Sequence, residues 1–285
     1  MLPSINFHLW KPCNFKCKFC FATYEDAKAL YNKKSYLSKE EMILIIDEIA
    51  KFGIRKITFA GGEPLLCKWL DELILRAKNH GITTMIVTNG WFLTEQWLDK
   101  QNGNLDWVTI SIDSLNHVNQ MKIGRSNKNK TLSATDYKEK IKMLKDRGIR
   151  FKMNTVVNSI NVQEDMTSFI KETLPERWKI FQVLPIKNQN DIYIDELLIS
   201  NDDYIKFVDR HRSVINVGVD IVEENNNLMK GSYLMIDPQG RFYDNVNGIY
   251  HYSQSILDVG YEKALEEVQV YKDKFIERNG LYEWA

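Results

Sequence analysis

Short apolar segments rich in β-branched and aromatic residues alternate along this chain with longer stretches whose apolar positions recur every three or four residues. The first pattern suits buried strands and the second suits helices with one apolar stripe, so the alternation predicts a parallel sheet built by β-α-β crossovers. Strands are expected at Ile5 to Trp10, Lys56 to Ala60, Thr83 to Thr88, Trp107 to Ile112, Arg150 to Val157 and Trp178 to Ile186. Ser38-Lys39-Glu40-Glu41 supplies a hydroxyl and an acid three residues on, the pair that caps exposed amides at a helix start, ahead of Met42, Ile45, Ile46 and Ile49. Gly53 closes that helix, Gly81 closes Trp69 to His80 and Gly148 closes Tyr137 to Arg147, each placed for the left-handed conformation past a helix end.

After about residue 213 the pattern changes. Val217 to Val222 and Tyr233 to Ile236 look like strands, and Asp237-Pro238-Gln239-Gly240 reads as a tight turn. Lys187 to Ser200 and Ser126 to Thr131 are polar and are expected to be loops. The predicted fold is α/β: a partial (βα)6 TIM-like barrel over residues 1–212, with a carboxy-terminal extension over residues 213–285 that packs on the barrel and covers its mouth.

The chain has 285 residues, 44% of them hydrophobic and 27% charged, which is enough apolar material for a large core. Cations and carboxylates balance at 38 each, so no overall field favours nucleic acid or an anionic membrane, and neither partner is expected. No apolar run approaches the roughly 20 residues that span a bilayer. The start of the sequence shows no basic flank or signal core, and a cytoplasmic protein is expected.

Three of the four cysteines lie within eight residues, as Cys13-Asn14-Phe15-Lys16-Cys17-Lys18-Phe19-Cys20, just after the first predicted strand. Such a CxxxCxxC loop can point three thiolates at one iron-sulfur cube and leave one iron open to a small chelating molecule. The alternatives are buried free thiols or a zinc site, for which Cys67 or His8 would be the fourth ligand. Cys67 itself, in Pro64-Leu65-Leu66-Cys67-Lys68-Trp69, is expected to pack as a small apolar residue. Gly61-Gly62-Glu63-Pro64 follows the second strand, where two glycines allow close backbone approach to a ligand and a carboxylate can accept from an ammonium.

The cysteine spacing, with Phe19 before Cys20, and the Gly61-Gly62-Glu63-Pro64 run together resemble the radical S-adenosylmethionine superfamily. The resemblance implies a 4Fe-4S cluster on Cys13, Cys17 and Cys20, with S-adenosylmethionine bound at the open iron and cleaved to a 5′-deoxyadenosyl radical. Further segments resemble the viperin family, including its prokaryotic members, from about Asn6 to Trp284. Among them are Lys56-Ile57-Thr58-Phe59-Ala60, Ser111-Ile112-Asp113-Ser114, Ile123-Gly124-Arg125, Phe151-Lys152-Met153-Asn154, Arg177-Trp178-Lys179-Ile180-Phe181-Gln182 and Ser232-Tyr233-Leu234. That likeness implies conversion of a ribonucleoside triphosphate (CTP, UTP or GTP) to its 3′-deoxy-3′,4′-didehydro form, a chain terminator of viral RNA synthesis. It also implies an electron donor such as flavodoxin or ferredoxin.

By the same carry-over, Phe19, Gly61, Gly62, Glu63, Pro64, Asn89, Ser111 and Arg125 would bind S-adenosylmethionine, and Asn6, Lys56, Lys152, Asn154, Arg177 and Lys179 the substrate. Lys152 and Asn154 are two apart on one strand and Arg177 and Lys179 two apart on the next, so each pair shares a face that could surround a polyphosphate. Tyr233 would donate a proton to the departing 3′-hydroxyl. The chain departs from animal members in having Ala22 where they commonly have histidine and Ser126-Asn127-Lys128-Asn129-Lys130 where they have a glycine-containing run. It is also expected to lack their amino-terminal amphipathic helix. The rival within the superfamily is a peptide-modifying or enzyme-activating protein.

Overall fold

The computed structural model describes residues 2–27 and 36–284. Seven strands lie side by side in chain order, each parallel to the next: β1 (Ser4–His8), β2 (Lys56–Ala60), β3 (Thr83–Thr88), β4 (Trp107–Ser111), β5 (Arg150–Val157), β6 (Arg177–Gln182) and β7 (Asp220–Glu224). On the other side of β1 lie β8 (Met235–Ile236), parallel to it, then β9 (Arg241–Asp244) and β10 (His251–Ser255), both added antiparallel. One side chain in two points outward into a core shared with the helices. Phe7, Ile57, Phe59, Ile86, Val108, Ile110, Phe151, Met153, Trp178 and Ile180 pack there with Met42, Ile45, Ile46 and Ile49 of the helix Lys39–Lys51. The alternate residues face a cavity lined from six consecutive strands, which makes the sheet a partial barrel.

The helix starts follow their caps. Ser38 and Glu41 form the expected capping box, and Ser133 forms a second one with Asp136, so the helix predicted from Tyr137 begins a turn earlier, at Ala134. Gly53, Gly81 and Gly148 all take positive φ. The sixth strand stops at Gln182 rather than Ile186. Val183 still donates to Val157 O at 2.9 Å, but Pro185 has no amide to continue the ladder. The stretch 187–200, expected to be loop throughout, contains a helical turn at Ile194–Leu197.

The sheet does not pause at residue 213. The strand expected over Val217 to Val222 begins at Asp220, after Gly218 takes a left-handed φ of 90°, and joins β6 as the seventh parallel strand. Residues 243–252 of the extension pack by the mouth, where Tyr250 Oη donates to Phe21 O at 2.9 Å. The last described residues go to the opposite end. Trp107 and Arg150, at the starts of β4 and β5, donate to Trp284 O (2.8 Å) and Glu283 O (3.3 Å), and Arg177 at the start of β6 donates to Asn279 O (3.0 Å). One limb of the extension therefore lies against the cysteine-loop side of the mouth, and its tail packs against the starts of β4, β5 and β6. No helix among the described residues is long and apolar enough to cross a membrane.

Candidate active site

The cysteine loop leaves β1 and the Gly61-Gly62-Glu63-Pro64 turn leaves the neighbouring β2, so both stand at the carboxy-terminal ends of the strands. They are stitched by bonds from Gly62 N to Trp10 O (2.7 Å), Glu63 N to Pro12 O (2.9 Å) and Trp10 Nε1 to Glu63 O (3.0 Å). The glycines are needed for this contact. A Cβ on Gly61 would stand 2.7 Å from Trp10 O, and one on Gly62 2.1 Å from Pro12 O. The close approach expected towards a ligand is thus made, in this structure, towards the backbone that carries the cysteines.

Cys13, Cys17 and Cys20 are half-buried and line one cavity, together with Phe19. Burial pushes the Cys13 thiol up to about 11 and the Cys20 thiol up to about 12. Arg125 offsets part of that cost at Cys17. Its guanidinium donates to Cys17 Sγ at 3.6 Å and to Ser111 O, and pairs with the buried Asp113 at 3.0 Å. Asn89 Nδ2 donates to Asn14 Oδ1 at 2.8 Å and lies 3.9 Å from Cys13 Sγ. Among the described residues no three His, Cys, Asp or Glu side chains converge on a single metal ion. A cubane does not ask for that, because each of its ligands binds a different iron. Neither zinc-ligand candidate completes a metal-ligand group with the cysteines among the described residues: Cys67 is buried in the main core, and His8, which lines the same cavity, bonds Tyr24 Oη through Nδ1 at 2.5 Å.

Glu63 is fully buried, and its carboxylate accepts from Leu65 N (3.1 Å), Thr88 Oγ1 (2.7 Å) and Asn89 N (2.9 Å). Two of the three bonds fall on Oε1, so Oε2 retains room for one more donor. An ammonium fits that place. The donors present, three thiols around an arginine and a carboxylate with a free acceptor site, suit a cluster and an amino-acid chelate at this end.

The opposite end of the cavity has different chemistry. The proposed substrate cations sit low in the barrel, towards the amino-terminal ends of the strands. Lys56 and Arg177 are the first residues of β2 and β6, Lys152 is the third of β5, and the register places Lys152 beside Arg177 and Asn154 beside Lys179. Arg278 from the tail joins them. These five cations are each between 4% and 7% exposed.

One fully buried carboxylate, Glu224 of β7, stands among them, paired with Lys179 and lying 3.5 Å from Arg278. Lys152 makes no hydrogen bond or ion pair among the described residues, and Lys56 donates to the neutral Tyr282 Oη at 3.0 Å. Burial and mutual repulsion hold Lys56 and Lys152 well below the usual lysine range and bring Lys179 down to about 7. Tyr233 donates to Glu224 and accepts from Lys179 Nζ at 2.8 Å, under the Arg278 guanidinium at 3.7 Å. Asn6 and Asn154 line the same cavity, and Asn154 Oδ1 is buried without a partner.

Sequence reasoning missed Glu224, Arg278 and Tyr282. Glu224 offered an alternation signal, since it falls two residues after the buried Val222 on one strand. Arg278 and Tyr282 offered none.

A cysteine loop and an acidic turn at one end of a partial parallel barrel define a class. Residues 10–172 match the Radical SAM superfamily. In solved structures the same fold is found in native anSMEcpe with bound AdoMet (TM-score 0.67, 16% identity, 96% of this chain and 82% of that one). It is also found in Streptococcus suis SuiB bound to S-adenosylmethionine (0.63, 14%, 84% and 59%). Likeness at this identity concerns the fold alone.

Sequence relatives are closer. An S-adenosylmethionine-dependent nucleotide dehydratase of Flammeovirga pacifica is 46% identical over 100% of this chain and 97% of its own length, and one of Lacinutrix mariniflava is 49% identical over 99% of this chain. The chain spans 59% of the length of the Lacinutrix protein. A Danio rerio protein of the same name is 34% identical over 99% of this chain and 78% of its own length. The chain belongs to this family of radical S-adenosylmethionine nucleotide dehydratases, the viperin family.

Proposed function

We propose that the protein binds a 4Fe-4S cluster through Cys13, Cys17 and Cys20, with S-adenosylmethionine beside it, and removes water from a ribonucleoside triphosphate to give the 3′-deoxy-3′,4′-didehydro product. When bound, the cluster and S-adenosylmethionine supply an adenosyl radical able to take a hydrogen atom from a ribose. The chain's own residues do the rest. Glu63 orients the methionyl ammonium, Arg125 and Asp113 hold the cysteine loop, and Phe19, Asn89 and Ser111 wall the cofactor side. Lys56, Lys152, Arg177 and Lys179 take the triphosphate, which puts the ribose between floor and mouth, beside Asn6 and Asn154. Tyr233 gives its phenolic proton to the departing 3′-hydroxyl, Lys179 Nζ, already donating to Tyr233 Oη, replaces it, and one further electron from the external donor leaves the closed-shell product.

The observation that carries this reading is a shortage of negative charge: the buried Lys56, Lys152, Lys179 and Arg278 line the same cavity as the cysteines with Glu224 as the buried carboxylate beside them, while Arg177 pairs with the exposed Asp220 at 3.3 Å. Charges buried without counter-ions are costly, and a polyanion is the ligand that relieves the cost. CTP, UTP and GTP are the candidate substrates, a flavodoxin or ferredoxin the electron donor, the cytoplasm the location, and termination of viral RNA synthesis the use of the product. The test is incubation of the anaerobically reconstituted protein with S-adenosylmethionine, a reductant and each of ATP, CTP, GTP and UTP in turn. One nucleotide should yield a product lighter by one water, as read by mass spectrometry. Consumption of S-adenosylmethionine with all four nucleotides returned intact would favour the peptide-modifying rival.

A further inference from the structure

Two segments border the cysteines: residues 10–22, which contain them, and residues 114–131, which run through the helix His117–Ile123 and the turn beyond. Backbone bonds from Lys16 N to Gly124 O (3.2 Å) and from Lys18 N to Ile123 O (3.0 Å) lock the segments together. The first holds three lysines, the second three lysines and Arg125, and neither holds an aspartate or glutamate, in a chain whose charges balance at 38 each. Lys11 is neutralised by Glu25 at 3.8 Å and Arg125 by Asp113. Lys16, Lys18, Lys122, Lys128 and Lys130 form no ion pair among the described residues, and all but Lys18 are exposed.

The presentation is built into the backbone. Lys128 and Asn129 both take left-handed φ, 49° and 64°, and Asn127 and Lys130 exchange backbone bonds of 2.9 and 3.0 Å across them. That tight hairpin turn holds the exposed Lys128 and Lys130 within one four-residue turn. Carboxylates reappear at two borders: Glu164 accepts from Ser114 Oγ, Leu115 N and Asn119 Nδ2, and Asp191, Asp195 and Glu196 flank Tyr193, over whose ring Lys18 lies at 5.2 Å. They mark where the basic face stops.

We propose that this face is the docking surface for an acidic protein that delivers one electron at a time. An unneutralised field of one sign raises encounter rates with an oppositely charged partner and aligns it. The field here is centred on the loop that holds the cysteines, where an electron has to enter; a nucleic acid or a lipid surface would have no business at that point. In the step served, the reduced partner loses one electron, the iron-sulfur group gains it, and no bond is made or broken. The proposal rests on the cluster assignment above, and a small-molecule reductant separates the two.

The test uses reconstituted holoprotein and the variant K122E/K128E/K130E, which leaves the cysteine loop untouched, with K145E/K263E/K272E as the charge-matched control. Association with an oxidised acidic flavodoxin is followed by stopped-flow fluorescence at low ionic strength. The triple variant should associate roughly tenfold or more slowly than wild type, the control should match wild type, and the difference should vanish at about 1 M salt, where screening extends only about 3 Å. Dithionite-driven cleavage of S-adenosylmethionine should be equal in all three. Equal association of wild type and triple variant would overturn the docking proposal, as would tight binding of the wild type to an anionic vesicle or an RNA oligonucleotide with none to the flavodoxin. Failure of dithionite-driven cleavage in the wild type would instead refute the cluster reading. If the triple variant does not fold, K122Q/K128Q/K130Q, which removes charge without reversing it, should slow association in the same direction, and association at the wild-type rate would overturn the proposal.

Discussion

Lys179 is the residue on which most of the proposed chemistry converges, because it touches Glu224 and Tyr233 and shares the cavity with Arg278, Lys56 and Lys152. Truncating one partner of a desolvated charged contact costs about 2–5 kcal/mol. Lys179→Ala should therefore weaken triphosphate binding roughly 30-fold or more, measured by calorimetry, while iron content per chain stays at the wild-type level. The lowered value of about 7 adds a pH dependence. A triphosphate raises the pKa of the lysine it binds, so binding takes up a proton once the free protein has lost it. Affinity should hold below about pH 7 and fall as pH rises above it, with Lys179→Ala flattening the profile; an unchanged slope in the variant would remove Lys179 from the phosphate site. In folding, the sign is opposite to that of a lysine gaining a partner. Between pH 7 and the ordinary lysine range the unfolded chain binds more protons, so this group's destabilising effect is full below 7 and fades above it. At the other end of the cavity, Cys17→Ala should lose the cluster and Cys67→Ala should keep it, since Cys67 packs in the main core away from the cavity.

At the scale of elements, the crossovers were legible because each strand and helix states its own type. Lys56–Ala60, Thr83–Thr88 and Arg150–Val157 are found at their expected bounds, and Ser38, Gly53 and Gly81 act as caps. Errors arose where one residue overrides a pattern, as at Pro185, or where a cap uses aspartate in place of glutamate, as at Ser133 and Asp136. The cysteine end of the site was readable as a linear motif. The floor was only half readable: strand alternation could pair Lys152 with Asn154 and Arg177 with Lys179, but the contacts of Arg278, Tyr282 and Trp284 depend on where the tail docks, which no local periodicity encodes.

Gly124 shows how an element's end serves the site. It caps the helix His117–Ile123 at φ 81°, and a Cβ there would lie 2.0 Å from Lys16 O. Gly148, at φ 67°, has nothing within 4 Å of the same atom. Gly148→Ala should lose only the roughly 1–2 kcal/mol of a left-handed alanine and keep its iron. Gly124→Ala should lose more stability and displace the cysteine loop, seen as a lower melting temperature together with reduced iron loading. Full iron loading in Gly124→Ala would mean that the loop tolerates the shift.

For the molecule as a whole, cavity and fold are one object, since the sheet that encloses the cations also carries the core. A ligand that binds only the folded state at 100 times its dissociation constant adds about 2.7 kcal/mol. For a chain of 285 residues that corresponds to a rise of roughly 4–5 °C in melting temperature. Inorganic tripolyphosphate should produce such a rise in calorimetry without any base or ribose, and a much smaller one in Lys179→Ala. No rise in the wild type would show that the buried cations are not a phosphate site. The same shortage of negative charge around Glu224 bears on the protein's history as well as its substrate. If the floor is the phosphate site proposed above, it would recruit whatever polyanion its surroundings supply, so a preparation would carry the memory of its buffer, and in a cell the free enzyme would be rationed by the whole pool of nucleotides and condensed phosphates competing for the same seat.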